Sequence, residues 1–172
     1  MREIRLHARA GQGAKTAAQL LAVALLRDGK SVQAFPEYGP EHRGSPMRAY
    51  TRYDDRLIRR HDAVEEPDAV VVLEPSLAGL PDVTAGLREG GLLLVNSGEP
   101  IRGALCIPAA RIAPDSVNLV MLGALAAALG EPSLESLAEA AVEVLGRKAD
   151  PAALRSALDR GYAAAKEERW AA

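Results

Sequence analysis

Two short stretches hold the residues best placed to do chemistry. The first is the loop Ala10-Gly11-Gln12-Gly13, flanked by Arg9 and Lys15. A glycine turn between a strand and a helix presents backbone N–H groups and a helix N-terminus, and both attract an anion such as a phosphate-bearing ligand. The string ARAGQGAKTAA nevertheless lacks the third glycine of the dinucleotide fingerprint, and it fails the Walker spacing before Lys-Ser/Thr. Two readings stay open for the loop: an anion cradle, or a tight turn whose glycines only let strand and helix pack closely. The second stretch is Tyr38-Gly39-Pro40-Glu41-His42-Arg43-Gly44. Here an acid, an imidazole and a guanidinium share a segment bounded by glycine and proline, and loops this dense in hydrogen-bonding groups face ligands or partners.

Neither stretch reads as catalytic or metal-binding. Glu41 and His42 are neighbours that do not converge on one ion, and no third ligand is evident. His7 and His61 have no Ser or Cys nucleophile at a recognisable spacing. The chain has one cysteine, so Cys106 can form no internal disulfide and cannot by itself hold an iron–sulfur cluster or structural zinc. Within its apolar segment it reads as a buried small hydrophobe. The acids Asp54, Asp55, Glu65, Glu66 and Asp68, and the basic group Arg52, Arg56, Arg59 and Arg60, read as solvated charge. The expectation is therefore no catalytic residue and no metal site.

These loops need elements to position them. Ile4, Leu6 and Ala8 alternate with Arg5, His7 and Arg9, and this period of two predicts a strand that runs into the glycine loop. Ala17, Leu20, Leu21, Ala24 and Leu25 recur at helical spacing between Ala14 and Asp28, and Gly29 is a natural stop. Ser31 to Phe35 predicts a second strand, giving a strand–loop–helix–strand opening of the kind that builds parallel sheets with right-handed crossovers. Met47 to Tyr53 is strand-like, and a turn at Asp54-Asp55 before Leu57-Ile58 suggests a hairpin that makes the sheet mixed. Ala69 to Leu73 and Leu92 to Val95 are apolar runs expected of strands buried on both faces, with a helical stretch around Val83 to Arg88 between them. Ala104 to Ile107 is a further short strand.

From Asn118 onward the pattern turns helical, over Leu119 to Leu129, Leu134 to Leu145, and Ala152 to about Glu168. Ser133 and Pro151 suit helix starts, and Gly130 and Gly146 suit helix ends. The expected fold is a three-layer α/β/α single domain over residues 1–172, with a mostly parallel mixed sheet and a helical C-terminal part over about 118–168.

Composition narrows the function classes. A chain of 172 residues can bury a core without disulfides, and 48% hydrophobic with 26% charged residues excludes a disordered one. A net charge of -2 gives no nucleic-acid footprint. No apolar run convincingly spans a bilayer, since Val117 to Leu129 is too short, and MREIRLHARAGQG has no signal core. No membrane or nucleic-acid partner is expected, and the location reads as cytoplasmic.

Five ordered blocks carry a family resemblance. RAGQGAKTAAQLLAVA is similar to a Gly-Gly-Gln-Gly loop and Thr-Ala-Ala helix, with Ala10 where the first glycine is usual. VQAFPEYGPEHRGSPMRAYTR resembles a sequence of Gln-Ala-Phe, Gly-Pro-Glu-Arg-Arg-Gly and Tyr-Thr-Arg, with His42 where Arg is common. EPDAVVVLEPSL, DVTAGLREGGLLLVNS and NLVMLGALAAALG resemble a Glu-Pro-Asp strand, a double-glycine and Val-Asn strand, and an Asn-x-x-Met-Leu-Gly-Ala helix. Together they resemble the gamma subunit of pyruvate and other 2-oxoacid:ferredoxin oxidoreductases, equivalent to one internal domain where that enzyme is a fused chain.

The resemblance implies a division of labour. The family decarboxylates a 2-oxoacid at thiamine diphosphate, passes electrons through iron–sulfur clusters to ferredoxin, and transfers the acyl group to coenzyme A. This chain has neither a Gly-Asp-Gly...Asn thiamine signature nor a cysteine set, so the resemblance places that chemistry on alpha, beta and possibly delta subunits and leaves this chain no cofactor of its own. Its task is structural and positional. Arg9, Gly11, Gln12, Gly13, Lys15, Glu41, Arg43 and Gly44 are then the residues expected to meet at one sheet edge and contact catalytic subunits or bound coenzyme A. Pyruvate is the expected 2-oxoacid; indolepyruvate and 2-oxoglutarate stay open because the selecting pocket lies on other subunits. The alternative from another class is a freestanding nucleotide- or coenzyme-A-binding α/β protein. Surface shaped for absent partners can also pair the isolated chain into a homodimer.

Overall fold

The computed structural model describes residues 1–37, 44–146 and 149–168. Strand β1 (Arg2–Arg9) buries Ile4, Leu6 and Ala8 in the larger hydrophobic core, while Glu3, Arg5 and His7 are buried in the alternate register. Helix α1 (Ala14–Arg27) follows, then β2 (Ser31–Glu37), β3 (Pro46–Asp54), β4 (Ala69–Val72), the short helix α2 (Pro81–Thr84), β5 (Leu92–Asn96) and β6 (Leu105–Ile107). The short α3 (Ala109–Ile112) leads into α4 (Val117–Leu129), α5 (Leu134–Leu145) and α6 (Pro151–Glu167). The C-terminal helical part expected from the sequence is therefore present.

The six strands form one sheet in the order β2-β3-β1-β4-β5-β6. Strands β1, β4, β5 and β6 run parallel, whereas β3 is antiparallel to both β1 and β2. The opening strand–helix–strand unit is thus split. β2 does not pair with β1; β3 inserts between them, with Arg2 opposite Tyr53 and Arg9 opposite Pro46. Burial explains the insertion, because Ala49, Thr51 and Tyr53 are all buried and the Thr51 hydroxyl donates to the Ala18 carbonyl of α1 at 3.2 Å. Tyr50 and Arg52 are buried on the other face, so β3 is covered on both.

Two further expectations are corrected. Leu57-Ile58 forms no strand: Leu57 is exposed, and the Ile58 N–H bonds the Ser31 hydroxyl rather than a strand partner. The helix expected at Val83 to Arg88 is instead the single turn of α2. It stops before Gly86, whose φ is +73° and whose α-carbon lies so close to the Glu65 carbonyl that a Cβ there would sit 2.0 Å from it.

The layers are unequal. α1, α4, α5 and α6 share the larger hydrophobic core with β1, β4 and β5. α4 is buried nearly all round, from Leu119 to Ala127, as befits the innermost helix. On the opposite face, among the described residues, a smaller cluster of Val70, Val72, Leu93 and Val95 is covered by Leu77, Val83 and neighbouring turns. Much of the sheet on that side is left to polar residues.

Candidate functional site at the carboxyl edge of the parallel strands

β1, β4 and β5 end at the same edge, the position where open α/β sheets present a crevice. A cleft of about 480 Å³ lies there, lined by the glycine loop after β1, by Leu73 to Pro75 after β4, by Asn96 of β5, and by Asp115, Val117 and Asn118. The loop is closed by the Gln12 N–H donating to the Arg9 carbonyl at 3.0 Å. Gly11 and Gly13 adopt φ of +96° and +82°, a region other residues rarely enter. Gly13 is the N-cap of α1 and supplies no side-chain cap, and the first turn of α1 carries no acid. The positive φ favours glycine at Gly13, and a Cβ there would lie 3.0 Å from the Asn118 amide nitrogen, a tight contact with the end of a side chain.

Gln12 and Arg9 brace the loop. The Gln12 side-chain oxygen accepts from the Arg9 N–H at 2.7 Å, and its amide nitrogen donates to Glu74 Oε2 at 2.5 Å. The Arg9 guanidinium donates to the Gly44 carbonyl and to the Ser76 hydroxyl, each at 3.1 Å, while the Ala10 N–H donates to the Ser45 carbonyl at 2.9 Å. Three segments distant in sequence are therefore tied at one point. The Glu74 carboxyl is held below its usual range chiefly by the Gln12 hydrogen bond; burial opposes this, and Ser76 and the charge of Arg9 assist.

Of the residues singled out in the sequence, Arg9, Gly11, Gln12, Gly13 and Gly44 come together in this brace. Lys15 is exposed on the first turn of α1, with no hydrogen bond or ion pair among the described residues. Glu41 and Arg43, like His42, lie outside the described residues. The sequence reading missed Glu74, Asn96 and Asn118. The Asn96 amide donates to the Leu73 carbonyl at 3.0 Å and accepts from the Ala110 N–H at 3.2 Å, which ties β5 to its neighbours. Glu74 and Asn96 stand where an apolar strand run gives way to polar residues, a signal that could have found them.

Side chains elsewhere on the sheet sharpen what the site can do. Arg52 is not part of a solvated basic cluster: it is fully buried, with Nε donating to Glu3 at 2.7 Å and Nη2 to the Asp62 carbonyl at 3.0 Å. Cys106 is only half-buried, because β6 is an edge strand. His7 is pushed down to about 3 by burial, then by the charges of Arg5 and Arg48, so it is neutral and accepts from Arg5 Nε at 3.0 Å. No histidine or cysteine lines the cleft among the described residues. Within the same limit, no cluster of three potential metal ligands is found, and no helix is long and apolar enough to cross a membrane. The cleft can hold and orient a group, but it offers no nucleophile paired with a base.

Comparison with known proteins gives a consistent result. Residues 3–164 match the family described as pyruvate ferredoxin/flavodoxin oxidoreductase. The chain is 45% identical over 159 residues to the common gamma subunit of the pyruvate/ketoisovalerate oxidoreductases of Thermococcus kodakarensis, covering 83% of this chain and 86% of that protein. The crystal structure of the pyruvate oxidoreductase subunit PORC of Thermotoga maritima is similar with a TM-score of 0.82 at 39% identity, covering 94% of this chain and 95% of that one. The gamma subunit of a keto/oxoacid ferredoxin oxidoreductase from Geobacter sulfurreducens is similar with a TM-score of 0.78 at 26% identity, covering 98% and 100%.

Proposed function

We propose a role for the chain from one premise: it belongs to the pyruvate ferredoxin/flavodoxin oxidoreductase family, as a gamma subunit of a 2-oxoacid oxidoreductase. Its 2-oxoacid is pyruvate, the substrate named for its Thermococcus and Thermotoga relatives. It works in the cytoplasm, as one domain over residues 1–172. Its partners are the alpha, beta and delta chains, which carry thiamine diphosphate and iron–sulfur clusters, release acyl-coenzyme A and pass electrons to ferredoxin. Family membership favours this reading over a freestanding nucleotide-binding protein.

The chain's own task is to present a rigid surface to those partners. The observation that carries this is the brace at the carboxyl edge, where Gln12 joins Arg9 to Glu74 and Arg9 joins Gly44 to Ser76. Preorganising a loop lowers the entropy lost when a partner docks on it. Lys15 is exposed beside the brace, and the sequence assigns Glu41 and Arg43 the same contact role. The uncapped, acid-free start of α1 fits an anionic group of coenzyme A, whereas Glu74 and Asp115 on the same cleft oppose one, so subunit contact is the better-supported half. The residues of this chain do not fit an iron–sulfur cluster. Cys106 is alone and half-buried, and no cluster of metal ligands forms among the described residues.

Aspartate substitution at Gln12 and Arg43 and alanine substitution at Glu41 test this reading in the assembled oxidoreductase. Weakened assembly or a raised KM for coenzyme A is expected. If both are unchanged, neither loop contacts catalytic subunits or coenzyme A.

A further inference from the structure

A second cavity, of about 690 Å³, lies over the antiparallel half of the sheet, on the thinly covered face. Arg5 lines it although the residue is only 4% exposed. Its Nε donates to His7 Nε2 at 3.0 Å, and Nη2 donates to the carbonyl oxygens of Val83 and Ala85 at 3.0 and 2.6 Å. Those bonds use the Nε hydrogen and both hydrogens of Nη2. Nη1 makes no hydrogen bond among the described residues, yet no fully buried side-chain nitrogen lacks a partner there. Nη1 must therefore keep an open side, and the cavity that Arg5 lines provides it.

All three acceptors of Arg5 are neutral. Among the described residues Arg5 forms no ion pair, whereas Arg52, also buried, is matched by Glu3. A guanidinium held this deep with no carboxylate in direct contact, and only the more distant charge of Glu37 to offset it, is costly, and its open N–H side is then available to a ligand. Arg48 stands beside the same space, and its ion pairs among the described residues are long, to Glu37 at 3.8 Å and Asp82 at 3.9 Å. Phe35, Val64 and Ala85 supply apolar wall.

We propose that this cavity binds a small monocarboxylate carried on a short apolar stem, received by Arg5 Nη1 and the Arg48 guanidinium. Two oxygens sharing a single charge suit two guanidinium groups. A doubly charged phosphate is disfavoured, because the carboxylates of Glu37, Asp62, Glu65 and Asp82 line the same space, so only an anion of single charge placed directly between the two guanidinium groups suits it. The volume is that of an ordinary small-molecule pocket. The site lies on the opposite face of the sheet from α1, α4, α5 and α6, and among the described residues it shares no lining residue with the cleft at the carboxyl edge.

The test is a titration of the full chain with sodium butyrate, following the guanidinium NMR signals of Arg5 and Arg48, with inorganic phosphate and butylammonium as parallel probes. Saturable shifts are expected with butyrate, binding at least about tenfold weaker with phosphate, and none with butylammonium. Because Arg5 is buried, the variant to rely on is Arg48→Gln at the half-buried position. It should melt like the wild type and weaken butyrate binding about tenfold. Arg5→Lys, which keeps the charge and loses the fork, should weaken it as well. The proposal is overturned if the wild type shows no saturable shift, or if Arg48→Gln binds butyrate as well as the wild type does. It is also overturned if assembly with the other subunits abolishes butyrate binding, since a partner's acidic side chain would then be the occupant.

Discussion

Gly161→Ala tests the packing that carries the whole helical layer. α4 and α6 cross so closely that a Cβ on Gly161 would lie 1.9 Å from the Val120 carbonyl oxygen and 2.7 Å from its carbon. The approach is reciprocal, because a Cβ on Gly123 would lie 2.0 Å from the Leu158 carbonyl oxygen. Ordinary non-bonded contact needs about 3.5 Å, so the helices would have to separate by roughly 1.5 Å. Alanine favours a helix interior over glycine by about 1 kcal/mol, so propensity alone would make the variant more stable. Overpacking costs about 1–3 kcal/mol when side chains can yield. Here the obstacle is helix backbone, and separation would also loosen Leu119, Leu122, Leu154 and Leu158, all buried in the shared core. We expect a cost of about 4 kcal/mol against the gain of about 1, a net loss near 3 kcal/mol. At about 2–4 °C per kcal/mol for a domain of this size, Tm measured by circular dichroism should fall by roughly 6–12 °C. Gly79→Ala is the control. A Cβ there meets nothing within 4 Å, so Tm should hardly move. A Gly161→Ala protein that melts at or above the wild type would refute the close crossing.

His7 makes stability depend on pH in a defined direction. Between about 3, its value in the fold, and 6.5, its ordinary value, the unfolded chain binds a proton that the folded chain does not. Stability therefore falls as pH drops through that window, by up to about 1.4 kcal/mol per pH unit from this group. In urea unfolding, His7→Asn should flatten the slope relative to the wild type; parallel slopes would show that His7 is not buried and neutral. The buried Glu3–Arg52 pair gives another test. Glu3→Ala leaves Arg52 without its closest carboxylate and should cost about 3 kcal/mol, less if Asp62 compensates. The double variant Glu3→Ala with Arg52→Met should cost less than the sum of the singles by more than about 0.5 kcal/mol, and strict additivity would mean the two side chains do not interact.

What was legible in the sequence follows from the range of each interaction. Ala69 to Leu73 and Leu92 to Val95 read as strands because a segment buried on both faces is apolar throughout, and that is a local property. The insertion of β3 between β1 and β2 was not legible, since alternation marks a strand without naming its neighbour. Arg52 looked like surface beside Arg56, Arg59 and Arg60 because its partner Glu3 lies 49 residues away. The glycine loop was visible as a turn, but its brace to Glu74 spans 62 residues and became evident only once β1 and β4 lay side by side. Cys106 was misjudged because apolar flanks do not tell an edge strand from a central one.

The most direct measurement is reconstitution. The affinity-tagged chain is co-expressed with the alpha, beta and delta subunits, and the eluate is assayed for pyruvate- and coenzyme-A-dependent reduction of ferredoxin. As a gamma subunit, the chain should elute in fixed ratio with the other three, and activity should fall when it is omitted. Elution of the chain alone, with the remaining subunits assembling and turning over pyruvate at the full rate without it, would contradict that role.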